Sequence, residues 1–152
     1  MVQLYSRVGD EFVVNTRTEG QHDFPALEAL PGGGFVAVWM DNSGLDGDAD
    51  GWAIKGQIFG PDGLKVGAEF LVNSATSGDQ IDPDVTTFPS GRFLVTWTDA
   101  SGVGADVDDV KAQLFAADGS RIGGEFRVNT STQGPEYDPV ATELPNGGFV
   151  IA

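Results

Sequence analysis

Three aspartates spaced two apart, in Asp46-Gly47-Asp48-Ala49-Asp50-Gly51, are the residues of this chain best arranged for chemistry. Alternate carboxylates closed by a glycine turn gather hard oxygen donors around one point, an arrangement that suits calcium. Asp46, Asp48 and Asp50 are therefore the expected metal ligands, with calcium as an ordering ion. The alternative is a solvated acidic turn, because Asp also favours turns by bonding its own backbone. An EF-hand would place a bidentate acid about six residues past the glycine, and Gln57 stands there instead. A second stretch, Asp106-Val107-Asp108-Asp109, keeps three carboxylates but lacks the glycine, so Asp106, Asp108 and Asp109 are expected to form a weaker site. Trp52 follows the first run, and Asp108 stands at its matched position in the second. A lone aromatic beside an acidic loop is the best saccharide-stacking feature in the chain, with packing at the rim as its alternative. Asp41 and Asp99 open the two loops and are expected to cap them through Ser43 and Ser101.

Other chemistry is scarce. The chain has no cysteine and a single histidine, His22, with Gln80 and Glu136 at its matched positions. Thiolate nucleophiles, disulfides and zinc–thiolate sites are excluded, and His22 is expected to be an exposed loop residue. No Gly-x-Ser-x-Gly elbow, His-Glu-x-x-His motif or phosphate loop occurs. Catalysis would fall to carboxylates alone, and in Asp82-Pro83-Asp84 the second acid has no acidic counterpart in the other copies. No catalytic residue is assigned, and a carboxylate-dependent hydrolase is a remote alternative. Within 152 residues, 23 Asp and Glu against 8 Lys and Arg give a net charge of −15, which repels phosphate backbones and anionic lipid heads. Nucleic-acid binding is not expected, nor is membrane insertion, since no apolar run nears the ~20 residues a span needs.

The acidic loops hang on a repeat. Gly9-Asp10-Glu11-Phe12-Val13-Val14-Asn15-Thr16 returns as Gly67-Ala68-Glu69-Phe70-Leu71-Val72-Asn73-Ser74 and as Gly123-Gly124-Glu125-Phe126-Arg127-Val128-Asn129-Thr130, at periods of 58 and then 56. Leu30-Pro31-Gly32-Gly33-Gly34-Phe35-Val36-Ala37-Val38-Trp39 matches Phe88-Pro89-Ser90-Gly91-Arg92-Phe93-Leu94-Val95-Thr96-Trp97, and Leu144-Pro145-Asn146-Gly147-Gly148-Phe149-Val150-Ile151-Ala152 is a third copy. The units run 9–66, 67–122 and an incomplete 123–152 within one repeat domain.

Each unit reads as short strands between turn clusters, with no helical period long enough to compete. Strand a is expected near 23–30, 82–88 and 138–144, strand b at 34–41, 92–99 and 148–152, strand c at 52–59 and 107–115, and strand d at 11–15, 69–73 and 125–129. The a–b and c–d connections carry Pro-Gly-Gly and Pro-Asp-Gly type clusters, which supply the positive φ of tight hairpins. Strand b is apolar on both faces and should lie centrally, with strand d nearer an edge. Phe12, Phe70 and Phe126 are expected to be equivalent buried residues, as are Phe35, Phe93 and Phe149. The class is all-β: tandem four-stranded antiparallel β-propeller-like blades, with a β-sandwich as the alternative. Propellers close with typically about four to eight blades, so uncovered faces should be met by self-association or by neighbouring repeats of a longer chain.

The Gly-Gly-Phe-Val-Ala-Val-Trp, Lys-Gly-Gln-Ile-Phe and Gly-Ala-Glu-Phe-Leu-Val-Asn segments resemble a tandem repeat of large secreted bacterial calcium-binding proteins of the haemolysin (RTX-like) type. The resemblance covers nearly the whole chain and implies an extracellular or cell-surface setting, with a structural or adhesive role rather than a defined activity. The Gly-Gly-x-Gly-x-Asp nonapeptide of their calcium rolls is absent. Met1–Asp10 shows no basic stretch followed by an apolar core, so export without a visible N-terminal signal peptide is expected. The functional expectation is a calcium-binding structural or adhesive module, with a lectin-like propeller as the alternative.

Overall fold

The computed structural model describes residues 10–102, 108–131 and 134–152. Among them there is no helix, and hence none long and apolar enough to cross a membrane. Ten strands form in sequence order: β1 (His22–Ala29), β2 (Phe35–Asp41), β3 (Ala53–Phe59), β4 (Lys65–Leu71), β5 (Asp79–Thr87), β6 (Phe93–Ala100), β7 (Asp109–Phe115), β8 (Arg121–Arg127), β9 (Ala141–Glu143) and β10 (Phe149–Ile151). Two four-stranded antiparallel sheets result, β1-β2-β3-β4 and β5-β6-β7-β8, followed by a β9–β10 hairpin. The described residues are all-β and form no closed propeller. Each strand pairs with its sequence neighbour, so β4 straddles the junction of the first two repeat units at 66 and 67.

The expected strands a, b and c are all present. Strand d starts about four residues early, because its first half passes through a bulge that reads as a turn. Gly67 and Gly123 adopt φ of 71° there. The register slips between Gly56 and Ile58 on β3, and between Ala112 and Leu114 on β7. The Gln57 amide spans the first gap by donating to Ile58 O and Val66 O, and Gln113 donates likewise to Leu114 O and Ile122 O. The segment 11–15 is not a strand; no strand pairs with it among the described residues.

Strands b and c are buried along their length while β4 and β8 are exposed in their first halves, which places the apolar strands centrally. The main core lies between the sheets: Val36, Val38, Met40, Ile54 and Ile58 of the first meet Val85, Phe93, Val95, Trp97 and Phe115 of the second. β5 crosses β1, β2 and β3 to make this interface. Gly56 matters at its margin, since a Cβ there would lie 2.7 Å from the Phe70 ring that covers the β3 backbone.

The phenylalanines are equivalent in position but not in burial. Phe70 tilts over Phe115 and Phe93 with centroids at 5.4 and 6.4 Å, and Phe12 tilts over Phe59 and Phe35 at 5.5 and 6.4 Å. Phe93 is fully buried, whereas Phe12, Phe126 and Phe149 are 55%, 39% and 37% exposed. Phe93 lies in the core between the two sheets, which Phe12, Phe126 and Phe149 do not join.

Candidate functional site

The antiparallel meander puts the start of β1, the end of β2, the start of β3 and the end of β4 at one end of the first sheet. The acidic b–c loop is therefore carried on that rim, beside the chain leaving β4. Its opening is capped as the residues predict: Asp41 Oδ1 accepts from the Ser43 N–H and hydroxyl, and Asp99 Oδ1 accepts from the Ser101 N–H at 3.0 Å.

The three aspartates of the loop face three different partners. Asp46 takes Arg17 in a forked pair at 2.8 and 3.1 Å, and the guanidinium holds its carboxyl below the usual range. Both groups are about half exposed, so the pair adds little stability. Asp48 is buried, with Oδ2 accepting from Asn73 Nδ2 at 2.8 Å and Oδ1 from Asp50 N–H at 3.2 Å. Asp50 Oδ2 accepts from Gly78 N–H at 3.2 Å. Among the described residues, no group of three or more His, Asp and Glu side chains is arranged to hold a metal ion. The donors that a calcium ion would replace come from the protein itself.

Asn73 organises this rim. It is fully buried; its Oδ1 accepts from Ile54 N–H, and its Nδ2 donates to Asp48, to Ala75 O and to Gln80 Oε1. Asn129 repeats the pattern with Val110 N–H, Asp109, Ser131 O and Glu136. Asp109 is thus engaged by Asn129, and by Arg127 at 3.7 Å, while Asp108 offers its backbone carbonyl to Glu136 N–H. Asp106 lies outside the described residues. Trp52 is half buried against the main core, its backbone N–H donating to Asp79 and its backbone carbonyl accepting from Gln80 N–H. His22 proves to be a half-buried residue at the start of β1, with Nδ1 2.9 Å from the buried Asp41 carboxylate, rather than an exposed loop side chain.

Two constellations went unread in the sequence. The first is a clamp between successive units. Glu69 Oε2 accepts from Thr16 N–H at 2.8 Å while Lys65 Nζ donates to Asn15 O at 3.0 Å. One unit on, Glu125 Oε2 accepts from the Ser74 N–H and hydroxyl at 2.6 and 2.7 Å, and Arg121 donates to the carbonyls of Leu71, Val72 and Asn73. Lys111 joins in, bonding Asp99 and Glu125. Burial alone would push the Glu125 carboxyl up, but the Ser74, Lys111 and Ala75 donors outweigh it and leave the group below its ordinary value. Such a group stabilises the fold above its unfolded pKa of roughly 4.3, and that contribution is lost as pH falls through the folded value. Glu125→Gln is expected to be less stable than the parent at neutral pH, with the gap narrowing at about pH 3. Urea melts at the two pH values check this, and an unchanged gap would refute it.

The second constellation is a convergence of matched bulges. Phe24, Asp82 and Asp138 each precede a proline and each hold φ near +50° (50, 53 and 51°). They line one open cavity with Asp84, whose Oδ2 accepts from Ala141 N–H at 3.1 Å. Burial, and then the nearby Asp138, push the Asp82 carboxyl upward. The readable signal was the Phe-Pro, Asp-Pro, Asp-Pro series at matched positions, which marks a shared bulge rather than a plain strand start.

Comparison of this chain with protein-family models, with characterised proteins and with solved structures finds no match.

Proposed function

We propose that the chain is a non-catalytic structural and adhesive module of a secreted or cell-surface protein, its sheets stacking front to back as blades of an open propeller-like array. The observation that carries the reading is the recurrence of one inter-unit contact. Phe70 of the first sheet covers the phenylalanine pair of the second in the geometry by which Phe12 covers that of the first, and Arg121 with Glu125 on β8 grip the chain leaving β4 as Lys65 with Glu69 on β4 grip the segment at Asn15 and Thr16. Polar and apolar groups on each unit serve to receive a like unit, as stacking repeats require. The resemblance to haemolysin-type repeats supports the secreted setting.

A glycan array probed with and without calcium tests the reading. No saccharide binding is expected, and strong binding that is lost in Trp52→Ala would replace it with the lectin alternative. Calcium at Asp46, Asp48 and Asp50 is a separable proposal: the ion would have to displace Arg17 from Asp46 and the Asn73 amide from Asp48. A melting temperature that rises with millimolar calcium, and no longer does so in Asp48→Asn, would support it. An unchanged melt would remove calcium and leave the module reading intact.

A further inference from the structure

Because successive residues of a strand point to opposite faces, the first sheet has two apolar faces. Val36, Val38 and Met40 face the second sheet, and Ala37 and Trp39 face away from it. By the repeat register, Phe35, Ala37, Trp39 and Phe59 correspond to Phe93, Val95, Trp97 and Phe115, the side of the second sheet that the first sheet covers. The outward face of the first sheet therefore repeats the chemistry of a surface whose occupant is known: the opposite face of a like unit.

That face is half covered. The segment around Phe12 and Val14 lies where β4 lies one unit later, and beside it a groove remains, lined by Val14, Pro25, Leu27, Ala37 and Trp39. Leu27 is 61% exposed here, while its counterpart Val85 is 4% exposed beneath the first sheet. At the other end of the chain, the β9–β10 hairpin packs on the second sheet through Ala141 and Ile151. Its far side presents Val140 and Val150, 59% and 46% exposed. These match Ala26 and Val36, residues that fill the core between the two sheets. Groove and hairpin are the two halves of an interface the chain already makes once.

We propose that a second copy of this chain docks head to tail, seating the Val140 and Val150 side of its β9–β10 hairpin in the groove at Leu27, Ala37 and Trp39. The inference rests on the front-to-back stacking proposed above. The contact joins unlike surfaces, so it propagates or closes into a ring rather than stopping at a symmetric pair. The net charge of −15 on each copy opposes it, so added salt strengthens it by screening.

Sedimentation velocity over a concentration series, in low and high salt, tests the docking with Leu27→Lys and Val150→Lys. Both positions are exposed, and thermal melts confirm that each variant is folded. The parent chain is expected to form species larger than a monomer at about 100 μM, more so in high salt, while each variant alone stays monomeric. A mixture of the two is expected to form a dimer and go no further, because the Val150 side of the Leu27→Lys chain can still enter the intact groove of the Val150→Lys chain. A monomeric parent would overturn the docking, as would either variant assembling alone. Neither result touches the glycan array, so this inference and the module reading fail separately.

Discussion

Replacing Phe93 by alanine is expected to remove about 3–5 kcal/mol of stability, the cost of truncating a large aromatic in a closed core. Phe93 is fully buried, stacks on Phe115 with centroids 5.1 Å apart and planes at 11°, and is capped by the Phe70 ring from the first sheet. Both flanking sheets would have to move to fill the hole. Phe35 makes the same stack on Phe59 at 4.5 Å, but its outer side meets the segment around Phe12 rather than a sheet among the described residues. Phe149 meets Phe88 edge-on at 6.2 Å and is 37% exposed. The same truncation should therefore cost less at Phe35 and least at Phe149. Urea denaturation of the three variants checks the order, and a loss below about 1 kcal/mol at Phe93 would mean that the sheets do not pack as described.

Asn73→Asp should be comparably severe, at about 3–5 kcal/mol, because it buries a charge that keeps the Ile54 N–H as a donor but faces acceptors in place of the other three partners. The amide is the donor toward the Asp48 carboxylate, Ala75 O and Gln80 Oε1. A carboxylate of the same shape would turn each of these contacts into a clash of acceptors, one of them already charged. Asn129 makes the matching bonds in a half-buried place, where water can relieve part of the penalty, so Asn129→Asp should cost clearly less. Equal, small losses at both positions would show that the amide is not what holds the rim.

The two results bear on what could be read from the residues alone. Alternation, the hairpin turns and the repeat register expose the strands and their order, because these are local properties of the chain. Burial at Phe35, Phe93 and Phe149 depends on which neighbours cover them, and three identical residues at matched positions carry no trace of that. The first half of β4 was hidden for a related reason: Gly67 at φ 71° looks like a turn, yet the Gln57 amide stitches the bulge back into the ladder. At the acidic loop, the spacing of Asp46, Asp48 and Asp50 suggested convergence. Their partners, Arg17, Asn73 and Gly78, arrive from other segments and draw the three carboxylates apart. The Glu69 and Glu125 grips were present in the repeated motif, but a glutamate on an exposed strand has no mark that distinguishes a clamp from a solvated charge.

The meander geometry also determines how a unit bears load. His22 and Leu71 lie at the same end of the first sheet, on its two opposite edges. Tension applied along the chain therefore pulls across the strands and opens their hydrogen bonds one after another, like a zipper, rather than shearing a whole ladder at once. A sheet opened in this way lengthens by on the order of 3.3–3.6 Å per residue. In an array of the kind proposed above, such units would lengthen before a contact at the far end is broken.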